Sequence, residues 1–116
     1  MPEVVYAESF FKAVSRLQKR YPHAHEDVEA LADRLEAGEL PGDRVQGLPF
    51  RVYKVRVKNR DVQRGKSGGY RVIYYLETAE QIVIISIYSK SDQSDIPTQT
   101  IRQLVSAYQA EHLPKK

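Results

Sequence analysis

Four cations are spaced as a phosphate site would need them: Lys54 and Arg56 in the run Tyr53-Lys54-Val55-Arg56-Val57-Lys58, Arg71 in Tyr70-Arg71-Val72-Ile73-Tyr74-Tyr75, and Lys90 just past Ile85-Ser86-Ile87-Tyr88-Ser89. Residues two apart on a β-strand share a face, and neighbouring strands lie about 4.8 Å apart, so cations on adjacent strands can converge on one phosphate. Arg suits that task because its planar guanidinium grips phosphate oxygens in pairs and keeps its charge. A Lys set among cations can instead be driven to accept a proton. Cleavage of a ribose phosphate asks for both: a proton must leave the 2′-OH, the extra charge of the transition state must be neutralised, and the 5′-oxygen needs an acid. Cations on a rigid sheet supply the first two with no metal or other cofactor. On the residues alone, binding nucleic acid or an acidic partner is the commoner use, because phosphate contacts outnumber phosphate chemistry.

Other catalytic residue types eliminate more than they support. The chain of 116 residues has no cysteine, which excludes a disulfide framework and thiolate zinc. His23, His25 and His112 show no carboxylate–histidine metal spacing and read as helix-surface or capping residues. Gly65-Lys66-Ser67 lacks the earlier glycine of a P-loop, since position 60 is Arg, and no helix follows it. Charge is segregated along the chain: residues 1–43 carry 5 Lys/Arg against 9 Asp/Glu, residues 44–71 carry 9 against 1, and residues 72–116 carry 4 against 5. A central block that positive is the footprint of a polyanion-binding surface, provided the cations are not merely a solvated loop. Strand alternation separates the two readings. Met1-Pro2-Glu3 opens acidic with no apolar segment behind it, and the run Ile82 to Ile87 is far short of the ~18 residues of a membrane span. A cytoplasmic protein with no membrane partner is the expectation.

The elements that must position these cations follow from periodicity. Val4-Val5-Tyr6 reads as an opening strand. Phe10, Val14, Leu17 and Tyr21 recur at helical spacing until Pro22, and Val28, Leu31 and Leu35 mark a second helix that Gly38 ends. Leu40 to Pro49 reads as an irregular connection. Tyr53, Val55 and Val57 then alternate with Lys54, Arg56 and Lys58, so one strand face is apolar and the other a row of cations. Phe50 and Val52 have the opposite parity, which predicts a bulge near Val52. Tyr70 to Leu76 and Gln81 to Tyr88 form a hairpin, and Asp95 is placed to cap a last helix carrying Ile101, Leu104, Val105 and Tyr108. The order β-α-α-β-β-β-α predicts a single α+β domain over residues 1–116, with helices packed on one face of a mainly antiparallel sheet and the cations on the other.

Tyr53-Lys54-Val55-Arg56-Val57, Gly65-Lys66-Ser67-Gly68-Gly69-Tyr70-Arg71-Val72-Ile73-Tyr74-Tyr75 and Ile85-Ser86-Ile87-Tyr88-Ser89-Lys90 together resemble the RelE/ParE superfamily of toxins from type II toxin–antitoxin pairs, nearest its RelE and HigB-like members. The resemblance covers nearly the whole chain and implies a RelE-like fold. It also implies a ribosome-dependent endoribonuclease that cleaves messenger RNA, partnered by the ribosome and silenced by a cognate antitoxin. On this resemblance Lys54 matches a strand lysine of the family's active surface, Arg56 a second basic position, and Arg71 the arginine of the GYR motif. Lys90 falls where RelE itself has an arginine. These four are the expected catalytic residues, with Lys58, Arg60, Arg64, Lys66 and Tyr88 expected to hold RNA. The family's further tyrosine falls at Ile96, which leaves the general acid unassigned, with Tyr88 a nearby substitute. The same fold also carries ParE-like inhibitors of DNA gyrase that are not nucleases, and that is the alternative implied.

Overall fold

The chain's computed structural model describes residues 1–62, 69–93 and 95–112. Its elements run β1 (Glu3–Tyr6), α1 (Glu8–Leu17), α2 (Ala24–Glu36), β2 (Asp43–Arg44), β3 (Arg51–Val57), β4 (Tyr70–Thr78), β5 (Gln81–Ser89) and α3 (Thr98–Glu111). The strands form one sheet in the order β1-β5-β4-β3-β2, antiparallel throughout except where β1 runs parallel to β5. The α+β architecture and element order therefore agree with expectation, with β2 added inside the stretch read as irregular.

Local chemistry explains the main boundaries. After α2, Gly38 takes φ +96°, and the N–H groups of Gly38 and Glu39 close on the carbonyls of Leu35 and Arg34 at 3.0 and 3.1 Å. Those two bonds are a Schellman stop, which a left-handed glycine makes without steric cost. Gly42, at φ +93°, is demanded by close approach, because a Cβ there would lie 2.4 Å from the Lys54 carbonyl oxygen. That approach lets β2 pair with β3, Asp43 opposite Lys54 and Arg44 opposite Tyr53. Val, Ile and Tyr dominate β4 and β5, the residue types that suit a pleated, packed surface.

Burial resolves into two cores, one on each face of the sheet. On one face Phe10, Val14, Val28, Leu31 and Leu35 of α1 and α2 pack over Val55, Val72, Tyr74 and Ile84. On the other, Ile101, Val105 and Tyr108 of α3 cover Val52, Ile73, Tyr75, Val83 and Ile85. The expectation that all helices share one face is thus corrected for α3. The reason lies in the central strands: β4 and β5 carry apolar side chains at both parities, and each buried aliphatic side chain is worth about 1.5–3 kcal/mol, so the second face also had to be covered. The expected bulge near Val52 is corrected too. β3 pairs with β4 in unbroken register from Arg51 to Val57, and Val52 and Phe50 keep the parity of Lys54 and Arg56 because α3 shelters them. Irregularities fall instead between β4 and β5, at Ile73/Tyr74 and Leu76/Thr78. Among the described residues no helix is long and apolar enough to cross a membrane.

Candidate nucleic-acid interface

What α3 leaves uncovered is the end of the sheet that carries the cations. Register places Arg56 of β3 directly opposite Arg71 of β4, and Arg71 opposite Tyr88 of β5. Directly paired strand residues have Cβ atoms about 4.5–5.5 Å apart and project on the same face, so Arg56, Arg71 and Tyr88 form one row. One rung along that face, Lys54 pairs with Ile73 and Ile73 with Ser86. Two guanidinium groups placed opposite one another repel, and among the described residues neither Arg56 nor Arg71 has a carboxylate partner. Among the described residues Arg71 donates only to the Tyr70 carbonyl, at 3.3 Å. Glu77 and Glu80, the acids at the far end of the β4–β5 hairpin, form no salt bridge with Arg71.

Beside this row opens a groove of about 860 Å³ whose lining includes Arg34, Arg44, Lys54, Arg56 and Arg71. Arg34 and Arg44 were not singled out from the sequence. Arg34 sits on the helical turn between Leu31 and Leu35, and Arg44 lies in the basic block, but nothing local says that both turn toward β3.

Lys54 is not a free cation. Its Nζ lies 2.6 Å from Oδ1 of Asp95, and the same oxygen accepts hydrogen bonds from the Tyr88 hydroxyl at 3.1 Å and the Ile96 amide at 2.8 Å. The Lys54 hydrogen bond, foremost, and the Ile96 amide pull the Asp95 carboxyl down to about 2. Burial, then the hydrogen bond to Asp95 and that carboxylate's charge, push the Tyr88 hydroxyl up to about 12, while the charge of Arg71 works the other way. Tyr88 thus enters the row as a protonated hydroxyl. Asp95 does not cap α3 as expected: the N-cap is Pro97, extended and without a side-chain cap bond. Ile96 packs partly buried under α3.

The remaining expected site residues fall into different settings. Lys58 is exposed and lines a second groove of about 380 Å³ between β3 and α2, which Arg34 and Arg56 also line. Arg60 is taken up by α2: its Nε lies 2.8 Å from Asp27 Oδ1, its amide donates to Asp27 Oδ2 at 3.1 Å, and its Nη1 reaches Glu26 at 3.3 Å. The adjoining His23 ring and amide bind Asp61 at 2.7 and 2.9 Å, and the ring hydrogen bond foremost holds the Asp61 carboxyl below the usual carboxylate range. His23 is therefore a clamp between the start of α2 and the loop after β3. Lys90 is exposed, and its amide donates to the Gly69 carbonyl at 3.1 Å, which sets it one rung beyond the Arg71–Tyr88 pair. Arg64 and Lys66 lie outside the described residues.

A protein-family model, described as the RelE toxin of the RelE/RelB toxin–antitoxin system, matches residues 9–113, from the first turn of α1 to beyond the end of α3. That span takes in every cation of the row and the groove, and the chain belongs to the RelE toxin family.

Proposed function

We propose that the chain is a ribosome-dependent endoribonuclease of the cytoplasm that cleaves messenger RNA by attack of a ribose 2′-OH on the adjacent phosphorus. The observation that carries this reading is the uncompensated Arg56–Arg71 pair, set next to a neutral hydroxyl donor and a Lys. Like charges held face to face weaken a sheet, and a dianionic phosphorane seated between them reverses that repulsion. Arg71 and Arg56 would neutralise the charge that develops on the non-bridging oxygens. Lys54 would flank the phosphate as a third cation, with Lys90, Lys58, Arg64 and Lys66 along the RNA backbone.

In the reaction the bond from the 2′-oxygen to phosphorus forms and the bond from phosphorus to the 5′-oxygen breaks, leaving a 2′,3′-cyclic phosphate and a 5′-hydroxyl. Tyr88 stands closest to Arg71 on the β5 side, where it can give the departing oxygen its proton. A site open on one side gains from a substrate aligned by a larger body, the part assigned to the ribosome. Family membership implies an antitoxin partner. Primer extension on messenger RNA, in translating extracts and on the same RNA without ribosomes, tests the reading. New ends confined to the translating reaction are expected, and no new ends in either would overturn it.

A further inference from the structure

Asp95 sits where a simple phosphate site would not have it. It is an acid paired with Lys54, one of the cations that line the groove, and its charge opposes the ligand proposed above. Its side chain is 62% exposed, so as a surface ion pair with Lys54 it contributes no more than about 1 kcal/mol to stability. Nor does it act as a helix cap, because the bond it makes to main chain is to its own neighbour, Ile96, and α3 begins only at Thr98. What distinguishes Asp95 is convergence. One oxygen, Oδ1, receives Lys54 from β3, Tyr88 from β5 and the Ile96 amide, while Gln93 Nε2 holds the Asp95 carbonyl at 2.8 Å. Two side chains from non-adjacent strands, with β4 and Arg71 between them, are thereby tied to a single atom.

We propose that Asp95 is a positioning residue of the cleavage site: its carboxylate holds the Lys54 ammonium and the Tyr88 hydroxyl on either side of Arg71, so that the first flanks the scissile phosphate and the second faces the departing 5′-oxygen. This rests on the cleavage reaction proposed above. The balance is simple. Tyr88 gives its proton to the 5′-oxygen as the phosphorus–oxygen bond breaks, Arg71 stabilises the phenolate, and the phenolate recovers a proton from water after the 2′-OH proton has passed to water. Asp95 stays ionised throughout: its Oδ1 accepts the Tyr88 O–H until that hydroxyl turns to the departing 5′-oxygen, and it touches neither the phosphorus nor the oxygens bound to it. Its loss leaves both groups in place on their strands but free to turn, and a displacement of about 1 Å at such a site costs roughly a hundredfold in rate.

The test compares wild type with Asp95→Asn, Asp95→Ala, Tyr88→Phe and the Asp95→Ala/Tyr88→Phe double variant, using cleavage of ribosome-bound messenger and a thermal melt of each protein. Expected are melts close to wild type, a fall of about a hundredfold in kcat for Asp95→Ala with KM unchanged or lowered, and a double variant no slower than the slower single one. Asp95→Glu should recover part of the loss, which a purely structural role would not require. Wild-type kcat in both Asp95 variants would overturn the proposal. A rise in kcat would do so too and would make Asp95 a brake that competes with phosphate for Lys54. Multiplying effects in the double variant would show that Asp95 does not act through Tyr88. Cleavage by wild type separates these outcomes from failure of the reaction itself, which would remove both proposals together.

Discussion

Arg56 and Arg60 are near neighbours in one basic segment, yet the fold treats them oppositely. Arg60, past the end of β3, meets Asp27, whose side chain is only 6% exposed, and Glu26 beyond it. Arg56, inside β3, meets Arg71 across the strand and no acid among the described residues. A cation whose charge is answered by a buried carboxylate is part of the scaffold. One that is held against another cation on a rigid sheet is poised for an anion supplied from outside. The comparison teaches that a basic run should be divided by its partners before any of it is assigned to RNA.

The largest effect is expected of Arg71→Ala. If the Arg56–Arg71 row is catalytic, this variant loses about 2–4 kcal/mol of transition-state stabilisation, the range for losing one oxyanion donor, with no loss of thermal stability. Near-wild-type growth arrest on expression would return Arg71 to the scaffold. Next, Arg60→Ala leaves the Asp27 carboxylate without its guanidinium, and a denaturant titration should show a lower midpoint. An unchanged midpoint would mean that Arg60 is as available as Arg56.

Asp95 provides the intermediate case. Its carboxyl titrates at about 2 against an ordinary 3.8, so its pairing stabilises fully above pH 3.8 and is lost as the pH falls toward 2. Given its exposure the amount is at most about 1 kcal/mol, read as the difference between wild type and Asp95→Asn in acid denaturation. Smallest and opposite in sign, Arg56→Gln should stabilise the fold by about 0.2–1 kcal/mol by removing the cross-strand repulsion, while lowering the salt dependence of RNA binding by about 0.7 in slope. A destabilised Arg56→Gln would mean that Arg56 has a structural role after all.

Much of this was legible without coordinates, and the misreadings have particular causes. The alternation from Tyr53 to Lys58 correctly put Lys54 and Arg56 on one strand face, because side-chain parity in a strand is a local property. Asp95 was read as a cap because an acid before a proline and an apolar-periodic helix usually is one. Its bond to Lys54 spans 41 residues and depends on how the loop after β5 crosses the sheet. Val52 suggested a bulge because only α3, more than forty residues on, explains an apolar residue on the cationic face.

The order of the main elements, the segregation of charge and the motifs by which the family is recognised are legible in the chain alone, since all three are patterns of near neighbours; β2 is not, because its pairing rests on another strand, β3. Only the tertiary structure decided which cations stay uncompensated. That depends on register between strands and on which acid another element delivers: Asp27 from α2 to Arg60, Asp95 to Lys54, and no acid to the Arg56–Arg71 pair among the described residues. Charge is written in the residue, but its neutralisation is set by what folding brings within about 4 Å of it.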